Sequence, residues 1–197
     1  MQIAVRMATL LFAAMVTENI VFGRAIGITV PEKQRPQDIL RTGGLLAAVI
    51  ALSCFFASLV SGVVTADKRI YAEPIIYTTL ISIIYLLIYV AVKTVGAKKK
   101  IETSGFCKQL ATATFNSAVF GAVLIVTRRL YTPIDAAFYG LGGAAGYMIA
   151  MLFIRRQRHQ TKMLRVPNAF RGLPITLIYI GIISLALYGL IGHQLTA

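Results

Sequence analysis

Asn19-Ile20-Val21-Phe22-Gly23 closes the first apolar stretch of this chain, and Asn116-Ser117-Ala118-Val119-Phe120-Gly121 echoes it inside the fourth. Each sets an asparagine ahead of a Val-Phe-Gly run where hydrocarbon would surround it, almost half of the 197 residues apart. Six apolar stretches, residues 3–22, 39–65, 74–95, 106–127, 133–154 and 173–192, are each long enough, or nearly so, to cross ~30 Å of hydrocarbon. Six spans divide into three and three, and a duplicated unit of three must insert the second time upside down. The sequence predicts an all-α integral membrane protein with one transmembrane domain over 1–197 and half-repeats about 1–100 and 101–197. The six transmembrane helices would form a 3+3 inverted repeat. That so short an echo arose by coincidence stays open beside this reading.

The first and fourth spans also have the most awkward interiors. The first carries Glu18 and Asn19, then Gly23, Arg24, Gly27 and Pro31; the fourth carries Gln109, Thr112, Thr114, Asn116, Ser117 and Gly121. Non-helical backbone at membrane depth persists only where protein or a cavity covers its polar groups. Helices 1 and 4 are therefore expected to be broken into half-helices that meet near the bilayer centre, where such folds hold their sites. The alternative is that Asn and Ser simply bond to neighbouring helices, at ~0.6 kcal/mol each. Glu18 is the one acid well inside a span, a costly placement that marks an ion path by default. The competing reading sets Glu18 near the cytoplasmic end, paired with Arg24 or a neighbouring subunit. Gly140, Gly142, Gly143 and Gly146, with Gly181 and Gly189, read as close helix packing.

Charge fixes the expected threading. Of 20 basic residues, fifteen fall in or beside alternate loops: Arg24, Lys33, Arg35, Arg41; Lys93, Lys98, Lys99, Lys100, Lys108; Arg155, Arg156, Arg158, Lys162, Arg165, Arg171. Arg6, Lys68, Arg69, Arg128 and Arg129 belong to the other side. Cytoplasmic loops hold the positive excess, which predicts a multi-pass membrane protein with both termini outside. The first apolar stretch lacks a small-residue cleavage site and reads as a span rather than a removed leader. A hydrophobic content of 57% and a mean hydropathy of +0.75 describe a chain that lives in the lipid bilayer. The net charge of +13 sits in short loops, so a nucleic-acid partner is not expected.

Covalent chemistry finds no support. The two histidines, His159 and His193, lie in a loop and at the C-terminal edge, and no paired carboxylates or phosphate loop are present. Cys54 and Cys107 lack metal-ligand spacing, and Cys54 reads as a small core residue.

Val166-Pro167-Asn168-Ala169-Phe170-Arg171-Gly172, with Ile175, Leu177-Ile178, Gly181, Ser184-Leu185-Ala186, Gly189 and Gly192 behind it, resembles the end of the A subunit of Rnf complexes. The E subunit of the sodium-pumping NADH:quinone oxidoreductase ends similarly. Ala137-Phe138-Tyr139-Gly140 with Gly146 resembles the fifth span of that family; Glu18-Asn19 with Gly27, and Asn116 with Ala118-Val119 and Gly121, resemble its two broken helices. The resemblance covers nearly the whole chain. It implies pairing with a homologous, inverted six-helix sister subunit around a mid-membrane [2Fe-2S] cluster, to which each subunit gives two cysteines. It also implies a cytosolic electron-input subunit, flavin-binding partners in the membrane or outside it, and ion movement coupled to electron transfer.

At the ligand positions the sequence departs from that pattern. The cysteine expected after Gly27-Ile28 is Thr29, and the one expected after Asn116 is Ser117. Hydroxyls are much poorer iron ligands than thiolates, so this chain is not expected to supply cluster ligands. Thr29, Ser117, Asn116 and Asn19 remain the candidate cofactor-site residues, and Glu18 the ion-path candidate. The leading reading is a non-catalytic membrane subunit of an Rnf/Nqr-like electron-transfer complex. The competing readings are a small inverted-repeat ion or solute carrier, favoured by the lost cysteines, and a structural anchor for flavin-bearing partners.

Overall fold

The computed structural model describes residues 2–28, 36–62, 69–99, 104–163 and 166–191. Thr29, Pro31, Lys33, Arg35, Lys68, Lys100, Arg165, Gly192 and His193, all invoked above, lie outside the described residues. Among the described residues every regular element is a helix: α1 Gln2–Phe12, continued by a π-helical turn Ala13–Thr17, α2 Ile20–Arg24, α3 Pro36–Ser61, α4 Arg69–Lys99, α5 Ser104–Thr114, α6 Ser117–Arg128, α7 Pro133–Met163 and α8 Leu173–Ile191. A 3-10 turn at Asn168–Phe170 precedes α8.

Among the described residues, three helices are long and apolar enough to cross a membrane: Thr42–Ser61, Glu73–Gly96 and Pro133–Thr161. α5 and α6, bent by 47° at their junction, make a fourth if taken as one span. Ala4–Thr17 and Leu173–Gly189 are shorter apolar helices. Residues 155–171, read from sequence as a polar loop, begin as helix, because α7 runs on to Met163. Arg, Gln and Lys are good helix formers, and nothing before Pro167 obliges the helix to stop.

α7 is the central element. Pro133 begins it, where a missing N–H costs nothing, and Thr132 and Asp135 close its first turn reciprocally. The Thr132 hydroxyl donates to Asp135 Oδ2 at 2.7 Å and accepts from the Asp135 N–H at 3.4 Å. α1 runs parallel to α7: Arg6 pairs with Asp135 at 2.5 Å, and Gly142 and Gly146 lie against the backbones of Leu11 and Met15. α3 runs antiparallel to it. A Cβ on Gly140 would sit 3.1 Å from Ala51 Cα, and one on Gly43 would overlap the Met148 side chain.

These two contacts share a register: Gly43 and Gly140 are 97 residues apart, and so are Ala51 and Met148. The buried seam of α3 keeps the same spacing. Leu46, Val49, Ile50, Ser53, Cys54 and Ala57 are buried, as are Gly143, Gly146, Tyr147, Ala150, Met151 and Ile154 of α7. Glycine packing is thus found where sequence placed it in span five, whereas a Cβ on Gly181 or Gly189 of α8 would meet nothing beyond its own helix within 4 Å. Those two lie on the exposed face of α8 and join no helix pair among the described residues.

Candidate mid-membrane junction

Both interruptions fall on asparagine. After α1 the helix widens, and the Glu18 N–H reaches back five residues to the Ala13 carbonyl at 2.8 Å, the signature of a π turn. Asn19 then restarts the chain as α2. Its Oδ1 accepts from the N–H groups of Val21 and Phe22 at 3.0 and 3.2 Å, satisfying the helix start without water. Its Nδ2 donates to the carbonyls of Met15 and Gly146, at 2.9 and 3.0 Å. In the fourth span, Asn116 Oδ1 accepts from the Ala118 N–H at 3.0 Å, and Nδ2 donates to the Tyr147 hydroxyl at 2.8 Å. The two breaks are therefore fastened to consecutive residues of α7.

The half-helices also end alike. Ala25 and Leu130, both in the left-handed region at φ 53°, follow α2 and α6. The Ile26 N–H donates to the Ile20 carbonyl and the Tyr131 N–H to the Val126 carbonyl, each at 3.3 Å, so both helices close on non-glycine residues. Past α2 the backbone turns onto the start of α6, and the Gly27 N–H donates to Ser117 Oγ at 3.0 Å. Gly27 has φ +87°, and a Cβ there would stand 2.8 Å from Ala118 Cβ and 3.2 Å from Asn116 Oδ1. Only glycine tolerates both the conformation and the approach.

Of the candidate residues, Asn19, Asn116 and Ser117 gather at this junction. Thr29 lies outside the described residues, two positions beyond Gly27. Asn19 and Asn116 are buried, while Ser117 is exposed on the surface of this chain. Glu18 does not pair with Arg24. Its Oε1 accepts from Arg129 at 2.5 Å and its Oε2 from the Tyr139 hydroxyl at 3.2 Å, and Arg129 also donates to the Tyr131 hydroxyl at 3.1 Å. Sequence reasoning missed Arg129 and Tyr147 as members of this region. A tyrosine deep in a glycine-rich span was the available hint for Tyr147; nothing local linked Arg129 to Glu18.

A family profile described as "Rnf-Nqr subunit, membrane protein" matches residues 7–193. The chain belongs to the Rnf-Nqr family of membrane subunits. The E subunit of the Na(+)-translocating NADH-quinone reductase of Pasteurella multocida is 35% identical over 82 residues, 42% of this chain and 41% of that protein. Its counterparts in Haemophilus ducreyi and Aeromonas hydrophila are 34% and 35% identical with the same coverage. The matched stretch therefore spans well under half the length of these curated relatives.

The donors of this Rnf-Nqr chain do not suit the [2Fe-2S] cluster that the resemblance implies. Ser117 Oγ is a neutral hydroxyl oxygen already accepting the Gly27 N–H. The free cysteines, Cys54 and Cys107, are buried on α3 and α5, and Cys107 lies ten residues before Ser117, on the other side of the break at Asn116. Among the described residues no three His, Cys, Asp or Glu side chains gather as a metal-binding group.

Proposed function

We propose that this chain is an integral membrane subunit of an Rnf/Nqr-like transmembrane electron-transfer complex. It pairs with an inverted six-helix sister subunit, lines the mid-membrane electron or ion path with its two breaks, and supplies no [2Fe-2S] ligands. The observation that carries the reading is the junction itself: two capped half-helices meet at Gly27 and Ser117, with a hydroxyl where the family pattern has a thiolate. A polar side chain as exposed as Ser117 at membrane depth calls for a protein partner rather than lipid tails.

Six spans in a 3+3 inverted repeat fit this reading. The common spacing of 97 residues relates Asn19 to Asn116, Gly43 to Gly140 and Ala51 to Met148, as a duplicated and inverted unit would. The antiparallel contact of α3 with α7 is what two equivalent helices make across such an axis. Both termini then face outward, since Arg155, Arg156 and Arg158 end α7 on the basic, cytoplasmic side. Flavin-bearing and cytosolic electron-input partners complete the complex. Arg129 and Tyr139, which occupy both Glu18 oxygens, count against a free cation site there and hence against the carrier alternative.

The test is the iron content and EPR spectrum of the purified complex, wild type against Thr29→Cys/Ser117→Cys. A wild-type cluster lost when Ser117 is changed to alanine would sink the reading. Co-purification of redox subunits supports membership of the complex, and a chain isolated alone with solute-transport activity would transfer support to the carrier.

A further inference from the structure

We infer that the flank of α4 facing α5 is an interface for a transmembrane helix of a partner subunit. That helix bears hydrogen-bond acceptors at mid-membrane and an acid near one end. Tyr85 lies at the middle of the apolar span Glu73–Gly96. Its ring centroid is 5.8 Å from that of Tyr89 and 5.2 Å from that of Phe115. Lys93 Nζ stands 5.8 Å from the centre of the Tyr89 ring. Side chains spaced four apart share one side of a helix, so the row runs along a single flank of α4 from mid-span toward Lys99.

Both tyrosines are half-buried, and among the described residues neither hydroxyl has a hydrogen-bond partner. A phenol at the middle of a span reaches neither headgroup nor water, and acyl tails hold no acceptor. Its acceptor must come from protein. The outward side of α4 shows no such need: Ile83, Leu86, Leu87 and Val90 are exposed hydrocarbon, suited to lipid. Phe115 is 62% exposed and stands two residues before Ser117, so the row is continuous with the junction. The inference shares with the proposed function the premise that this chain works inside a complex.

Charge narrows the occupant. α5 returns antiparallel beside α4. From the Tyr85–Phe115 contact, Lys108 lies seven residues back and Lys93 eight residues on, about 10–12 Å along each helix. Both lysines are exposed, and neither forms an ion pair among the described residues. An acid at their level on the facing helix completes the match. A second copy of this chain meeting the same flank would set lysines against lysines. A lipid headgroup would answer the lysines and leave the mid-span hydroxyls unmet.

In cells expressing the full complex, p-benzoylphenylalanine replaces Tyr89 or, on the outward side, Leu87, and the membranes are irradiated. Tyr89 should label one integral membrane subunit, in a transmembrane peptide that contains Asp or Glu; Leu87 should label lipid. Lys93→Glu/Lys108→Glu should cut recovery of that subunit with this chain by roughly tenfold, and changing its acid to lysine should restore it. Tyr85→Phe/Tyr89→Phe should cut recovery by roughly fivefold. The melting temperature of the full-length chain alone in detergent should stay unchanged in that pair, because the hydroxyls bond nothing within it. The phenylalanine pair carries the test if the charge reversal does not fold. Label on lipid alone at Tyr89, a labelled peptide without an acid, a labelled second copy of this chain, or full recovery in both double variants overturns the inference. A redox complex recovered intact with Tyr89 on lipid removes the interface and leaves the proposed function standing. A labelled subunit without redox partners keeps the interface and removes that function.

Discussion

Asn19 and Asn116, 97 residues apart, send their amide groups to neighbouring residues of one helix: Asn19 to the Gly146 carbonyl and Asn116 to the Tyr147 hydroxyl. Each also caps the half-helix that follows it. One side chain thus does two things at each break, restarting a helix and fixing it to α7. Asparagine suits the task because its amide accepts through oxygen and donates through nitrogen.

Asn19→Ala removes the cap of α2 and leaves the Gly146 carbonyl short of a donor. The expected loss is about 1–3 kcal/mol, read as a lowered melting temperature in detergent. Asn19→Ser keeps a capping oxygen and forfeits the amide donation, so it should lose less. An equal loss in both variants would show that the cap contributes nothing.

Gly27→Ala should be among the most damaging single-methyl additions. It combines a left-handed φ of +87° with a contact 2.8 Å from Ala118 Cβ, and a cost of about 1–3 kcal/mol is expected. Gly23→Ala, four residues earlier in α2 with nothing within 4 Å, should be neutral or slightly stabilising. Thermal unfolding of the two variants side by side checks the contrast.

Gly146→Ala drives a methyl to within 2.6 Å of the Met15 carbonyl oxygen and should separate α1 from α7. Gly181→Ala meets nothing and should leave stability unchanged or improve it by up to about 1 kcal/mol. Protease resistance of the N-terminal arm in micelles distinguishes them. If both variants behave alike, α8 uses Gly181 against another subunit.

Glu18 and Arg129 should couple in a double-mutant cycle. With side chains 27% and 42% exposed, the pair is screened wherever water reaches it, and a coupling of about 1 kcal/mol is expected from Glu18→Gln and Arg129→Gln. Additive effects would show that the ion pair does not hold the first break to the end of α6.

Threading can be read by thiol labelling. Lys99→Cys in intact cells should resist a membrane-impermeant maleimide and react only after permeabilisation. Cys54 and Cys107 are both buried, so background should be low. Ready labelling from outside would reverse the orientation.

Features set by local chemistry were legible in the sequence. The two asparagines announced both breaks because Asn inside an apolar run has few other roles, and Gly140, Gly142 and Gly146 announced a helix seam. What depends on distant partners was hidden. Arg129 reads as one more loop cation until the fold brings it to Glu18, 111 residues away. Gly181 and Gly189 have the same composition signal as the α7 glycines, yet composition does not say whether a facing helix exists. The reach of α7 beyond residue 154 was masked because its last turns are polar, and hydropathy marks membrane depth rather than helix ends.

The partnership of Asn19 with Gly146 also bears on biogenesis. The amide waits for a carbonyl 127 residues downstream, which a ribosome working at about 5–20 residues per second delivers roughly ten seconds later. During that interval the first hairpin to emerge carries an unfastened kink, and only arrival of the fifth helix completes it. Order of synthesis and order of assembly therefore differ, and insertion machinery that shelters the nascent N-terminal arm would be needed until the later half catches up.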